Sequence, residues 1–248
     1  MSTAKLPIAA FFFSVSATTG HAADIELSSF GLYEQTGENI VIDGVSTKYA
    51  LGVVGIGIDS EITSKTKVAA KIGYGQNNSQ SVSFSGANFT GPIRGTYINA
   101  AAQYELSQNK AYKLFAQAAV AVRSLETSSL IGSRNGLALT GQSSTTISTN
   151  DLMLAAQFKL NDTILLSLSG GLHQWHLKAD ATAHYAASGV TATAKKNIDT
   201  TGIDPIFAIG VHTNKLSHNF LAEVSSRSLK SKTDTAIITG QVTYSFRF

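Results

Sequence analysis

Tyr244-Ser245-Phe246-Arg247-Phe248 is the stretch on which the reading of this chain turns. Strand side chains alternate between faces, so Tyr244, Phe246 and Phe248 share one face while Ser245 and Arg247 share the other. An aromatic face opposite a polar one fits a strand held between lipid and an enclosed lumen. The alternation extends back through residues 236–248. There Ile238, Gly240 and Val242 join the aromatic face, and Thr239 and Gln241 oppose them.

The same period of two recurs upstream. In residues 96–106, Ile98, Ala100, Ala102, Tyr104 and Leu106 face one way. In 111–124, Tyr112, Leu114, Val120 and Val122 do so, and in 150–160, Leu152, Leu154, Phe158 and Leu160. Soluble antiparallel sheets also alternate. These segments, however, run to roughly 10 to 14 residues, enough to cross a bilayer with tilt, whereas soluble strands average about 5 or 6. Tyr104, Tyr112, Phe158 and Tyr244 lie near the ends of their apolar stripes, where interfacial aromatic girdles belong. The terminal Tyr244, Phe246 and Phe248 resemble the C-terminal signal of bacterial outer-membrane β-barrels, which the barrel-insertion machinery reads.

Residues 1–23 read as a cleaved secretory signal peptide. Lys5 precedes the apolar run Leu6–Val15 and a small-residue end, Gly20-His21-Ala22-Ala23. That run is too short for a membrane helix of about 20 residues, and later apolar stretches are all interrupted. The rest of the chain, residues 24–248, is expected to be one barrel domain in the outer membrane, in contact with lipid and lipopolysaccharide. Charged residues are only 14% of the chain, with 21 glycines and 3 prolines, unlike an ordinary soluble surface. With no cysteine, disulfide scaffolds and thiolate metal sites are excluded. The net charge of +3 is no nucleic-acid signature.

The pattern predicts an all-β, antiparallel, up-and-down transmembrane β-barrel of about ten strands, near 24–34, 48–58, 67–75, 95–106, 111–125, 150–160, 163–177, 203–213, 219–229 and 236–248. Two of these read poorly. Ile25 and Leu27 have the opposite parity to Phe30 and Leu32, and Tyr49, Leu51 and Val53 compete with Val54, Ile56 and Ile58 for the outward face. Bulges could reconcile each, and without this pair the count is eight. Short turns at 59–66, 107–110, 161–162 and 214–218 alternate with Ser/Thr/Gly/Asn-rich stretches at 35–47, 76–94, 126–149 and 179–202, read as long extracellular loops, and a shorter one at 230–235. Both termini then lie on the short-turn, periplasmic side.

The inward set is Lys71, Gln103, Glu105, Lys113, Gln117, Arg123, Asp151, Gln157, Lys159, Glu223, Arg227, Gln241 and Arg247. Mixed charges in a lumen about ten strands round are expected to pair and largely close it. A narrow pore without strong selectivity is the alternative.

For catalysis, the weak candidates are His173 and His176, expected near Asp204 at the extracellular rim, where a His–carboxylate pair could activate water as in the omptin surface proteases. No omptin motif accompanies them, and hydrogen-bonding or interfacial histidines beside Trp175 are the plainer reading. His212 and His218 lie toward the short-turn end, the wrong side for a lipid A deacylase. Neither a zinc-type cluster nor a phosphate loop is present, so no metal or cofactor is expected. The polar loops suit a host-surface or polysaccharide ligand. As a whole the chain resembles the small outer-membrane barrels of the OmpA-like, OmpX-like and opacity-adhesin type. That resemblance implies a monomeric surface or structural protein of the outer membrane with an adhesin-like role. A narrow porin and a rim-sited hydrolase are the alternatives.

Overall fold

A computed structural model describes residues 24–187, 190–213, 218–231, 233 and 235–247; the signal-peptide assignment to 1–23 and the terminal Phe248 lie outside the described residues, as does the side chain of Arg247. The strands are β1 (Asp24–Thr36), β2 (Ile40–Ile42), β3 (Val45–Thr63), β4 (Thr66–Phe84), β5 (Ala87–Gln108), β6 (Tyr112–Arg134), β7 (Leu137–Lys159), β8 (Ile164–Ala187), β9 (Val190–Thr213), β10 (His218–Ser228) and β11 (Ala236–Arg247). Each pairs antiparallel with its neighbour. Apart from β2, which pairs only with β3, they form a closed ring of ten, sealed where β1 meets both β11 and β3. Leu27 lies opposite Phe246 on one side and Ile58 on the other. The aromatic C-terminal strand thus pairs with the first strand and leaves no open edge for lipid to meet, which a membrane barrel requires.

The outside carries a belt of exposed apolar side chains. Val54 is 73% exposed and Leu152 67%, values that make sense only against hydrocarbon. On β7 the belt runs over Leu152, Leu154 and Phe158, with Leu160 just past its end, and stops at Asn150; on β9 it runs from Ile203 to Val211 and stops at Thr201. Tyr104, Phe158, Phe220 and Tyr244 mark its lower margin, and Tyr33 and Tyr74 its upper one.

Three differences from the sequence reading stand out. The stretches 76–94, 126–149 and 179–202 are not long loops: β4 to β9 run on through them as paired strands of 19 to 24 residues. Two-residue turns close them at Ser85-Gly86 and Asn135-Gly136, as Asp43-Gly44 closes β2–β3, all with positive φ at both positions. That is the type I′ hairpin, whose twist matches the strands it joins. Next, the parity conflicts in β1 and β3 are not bulges in those strands. Phe30, Leu32, Tyr49, Leu51 and Val53 simply point inward and are buried. Irregularities lie instead in β4, between Asn77 and Gln80, and in β6, between Thr127 and Leu130, where each strand carries one residue more than its partner, with two more beside the short turns, at Glu61–Thr63 of β3 and Glu105–Ser107 of β5. Last, the upper half of the interior is not polar. It is filled by an apolar core that includes Phe30, Phe89, Leu125, Leu130, Ile147 and Trp175.

Glycine makes room for the largest of these side chains. A Cβ at Gly55 or Gly73 would run into the Phe30 ring, and one at Gly202 into Trp175. Because β10 and β11 stop after 11 and 12 residues, the barrel is tall on one side and low on the other.

Candidate functional site

The interior has three levels. Nearest the short turns it is polar and lined by small residues such as Ser28, Gly57 and Gly210. Lys71 Nζ donates to Thr243 Oγ1 at 3.4 Å, Gln241 Nε2 donates to the same hydroxyl at 2.8 Å, and Lys113 pairs with Glu105 at 3.4 Å. Glu223 and Asp59 lie within electrostatic reach of Lys71. Gln103, Gln117 and Gln157 occupy inward positions among them. Lys159, by contrast, is at the rim and pairs with the turn residue Asp162 at 2.7 Å. On this level Ser167 Oγ and His212 Nε2 are 3.0 Å apart, a pair that sequence reasoning missed because the residues come from distant parts of the chain. His218 does not join them: it faces outward and bonds the Tyr244 hydroxyl at 2.6 Å.

At mid-height lies a layer of buried charge. Glu34, wholly buried, accepts from Arg123 Nε at 2.6 Å, Tyr49 Oη at 2.9 Å and Thr239 Oγ1 at 3.3 Å. Arg227 donates to Ser225 at 3.0 Å, Thr239 at 3.4 Å and Asp151 at 3.3 Å. The cations are also stacked on rings. Arg123 lies 5.3 Å from the Tyr97 centroid, Tyr97 packs edge-on to Phe30, and Lys71 sits 5.7 Å from the Phe30 ring. Residues 34, 49, 97, 123, 151, 227 and 239 come from seven strands, so this layer ties the barrel across its diameter. Of the charges in it, Arg123, Asp151 and Arg227 were legible as inward residues. Glu34 was not, since it sits on the strand whose parity read poorly.

The expected His–Asp juxtaposition holds for His173, which lies directly across the β8–β9 pair from Asp204, both buried and inward, yet among the described residues no hydrogen bond joins the two. His173 points inward and His176 outward, on opposite faces of β8. His173 Nε2 donates to the Ser228 carbonyl at 2.6 Å. Asp204 accepts instead from Trp175 Nε1 at 2.8 Å and from the Ser231 amide and hydroxyl at 2.8 and 2.6 Å. Trp175 is a core residue. Together these groups clamp the β10–β11 connection, with Leu229 beneath it, onto the barrel. His176 pairs with Asp199 at 2.6 Å on the outer surface, and this hydrogen bond holds the Asp199 carboxyl below its usual range.

Above the charged layer, the β2–β3 hairpin bends across the mouth. Ile40 and Val45 are buried beside its tip while Val41 remains exposed. Gln80 ties it down, donating to Thr47 and accepting from Thr127 and Ser143. Between hairpin and wall lies a narrow cleft of about 30 Å³, room for little more than a water or two. Among the described residues, no group of His, Asp and Glu is arranged to hold a metal.

No protein-family model matches the chain, and no curated protein matches its sequence. Solved structures do match in shape. The translocator domain of the autotransporter NalP from Neisseria meningitidis superposes with a TM-score of 0.53 at 15% identity, over 92% of this chain and 90% of that one. The outer membrane protease OmpT from Escherichia coli does so with a TM-score of 0.51 at 8% identity, over 91% and 96%. The fold is that of the bacterial outer-membrane β-barrels.

Proposed function

We propose that this is a surface protein of the bacterial outer membrane whose barrel is an anchor and whose tall extracellular wall is the working part, binding a host surface or polysaccharide. One observation carries the reading. Strands β5 to β9 continue well beyond the apolar belt, by about 30 Å after tilt on β7, while the lumen beneath is filled. The outer face of this wall is rich in hydroxyls and amides, with Thr140, Gln142, Ser144 and Thr146 on β7 and Thr193, Asn197 and Thr201 on β9. Interspersed Lys178, Lys195 and Asp199 add charges of both signs. Such a surface can hydrogen-bond sugars without ordering a loop, so binding forfeits little conformational entropy. The chain would work as a monomer, with export directed by residues 1–23 and insertion by its last strand.

The test is to replace residues 183–194 with Asn-Gly, which shortens the β8–β9 hairpin to its Thr182–Lys195 pair. Adhesion of expressing cells to epithelial monolayers and to immobilised polysaccharides should fall about tenfold, some 1.4 kcal/mol, with the heat-modifiable gel shift of the folded barrel intact. Undiminished adhesion after this trim and equivalent trims at Ser85-Gly86 and Asn135-Gly136 would remove the adhesive role.

A further inference from the structure

We infer that the upper edge of β9 pairs antiparallel with the same edge of a second copy held in a facing membrane. One side of β9 is paired with β8 along its whole length, from Val190 to Thr213. On the other side β10 covers it only from Ile206 to His212. Above the belt, this edge of the tall wall therefore has no strand beside it among the described residues. An uncovered edge is a template for another chain. Ala187 and Val190 close the β8–β9 hairpin as partners, so the even-numbered residues of β9 direct their backbone groups to β8. The odd-numbered ones turn N–H and C=O to the bare edge.

The occupant is legible in the side chains along that edge. Centred on Asn197, an antiparallel copy sets Lys195 opposite Asp199 twice, Thr193 opposite Thr201 twice, and Asn197 opposite itself. All of these are odd-numbered, exposed and on the outer face. Opposite charges, hydroxyls and amides thus meet their own complement, as an isologous twofold contact requires. Asp199 also pairs with His176 and Lys178 of its own copy, but with 65% of its side chain exposed it can take a further cation. The twofold axis is perpendicular to the sheet and lies in the membrane plane. Two copies in one membrane cannot pair in this way, because their β9 strands run in the same direction. Copies in facing membranes can, and each wall then stands over the partner's low side, on the line that β10 leaves at Ser228. Within each membrane the chain is still a monomer. Asn197 stands about 15 Å above Ile203 after tilt, so the two hydrocarbon surfaces lie about 30 Å apart. That gap admits lipid headgroups but no thick sugar coat, which makes bare vesicles the proper test.

The protein is reconstituted in phosphatidylcholine vesicles and their clustering is followed by light scattering, with the gel shift confirming that each variant is folded. Wild-type vesicles should cluster and empty ones should not. Lys195→Asp or Asp199→Lys turns two opposite-charge pairs into like-charge pairs, so either alone should cluster about tenfold less. Mixing Lys195→Asp vesicles with Asp199→Lys vesicles should restore clustering, because each strand again meets its opposite. Asn197→Cys, in a chain without cysteine, should give a disulfide-linked dimer in clustered vesicles, whereas Thr146→Cys on the outer face of β7 should not. Wild-type vesicles that stay apart, clustering that survives both charge changes, or a mixture of the two variants that stays dispersed would each overturn the inference. No host cell or polysaccharide is present, so self-pairing and host adhesion succeed or fail separately.

Discussion

Glu34 is the residue on which the charged layer converges, with a guanidinium, a phenol and a hydroxyl all donating to it. Buried pairs of this kind contribute little net stability against an apolar replacement, yet breaking one strands the surviving charge. Glu34→Ala should therefore cost about 3–5 kcal/mol by leaving Arg123 unpaired, read as a lower midpoint in guanidinium unfolding followed by gel shift. Glu34→Leu combined with Arg123→Met should recover most of the loss. If Glu34→Ala unfolds at the wild-type midpoint, the layer is not what holds the strands in register. On the outer surface, Asp199 offers a separate check. Its carboxyl is depressed by the His176 hydrogen bond, so the contact favours the folded state above the unfolded-chain pKa of Asp and is lost as pH falls through the lower folded value. In His176→Ala, an NMR titration of Asp199 should move upward toward the ordinary aspartate range. An unmoved midpoint would assign the shift to Lys178 instead.

Among the elements, the C-terminal strand was the most legible, because from Ile238 onward an apolar face against lipid and a polar face inside obey one rule. Strands β1 and β3 broke that rule. Their upper halves are apolar inside, at Phe30, Leu32, Tyr49, Leu51 and Val53, and β3 is apolar outside below, at Val54, Ile56 and Ile58, so periodicity alone could not orient them. The extracellular ribbons were misread for a different reason. Their Thr and Ser residues look like loop composition, although Thr favours strands and the Asp43-Gly44, Ser85-Gly86 and Asn135-Gly136 pairs are strong hairpin signals. The candidate His–Asp site was half legible: His173 is the cross-strand partner of Asp204, but His173 Nε2 is committed to the Ser228 carbonyl and Asp204 to Trp175 and Ser231, while His176, three positions on, is sent to the outer face. If the ribbons are ordered strands, amides of Leu137–Thr149 should resist hydrogen exchange nearly as well as Leu152–Phe158 in the apolar belt, despite lying outside the membrane. Exchange there at loop-like rates would restore the loop reading.

In the whole molecule, two barriers stand in series between the extracellular medium and the polar periplasmic half of the lumen. One is the aliphatic filling around Leu125 and Ile147, and the other the Glu34–Arg123–Asp151–Arg227 layer. They exclude ions by different means, the first by refusing hydration and the second by occupying the cross-section with paired charge. A ring of ten strands is narrow enough for side chains alone to do both. Barriers in series predict that removing either one leaves the other in force. Wild-type protein in planar bilayers should show no steady open level, and neither should Leu125→Ser with Ile147→Ser nor Glu34→Ala with Arg123→Ala. Combining all four substitutions should give a continuous conductance, provided the gel shift shows the variant folded. Steady conductance from the wild type would make the protein a narrow porin. Conductance from one pair alone would show that only that level closes the barrel.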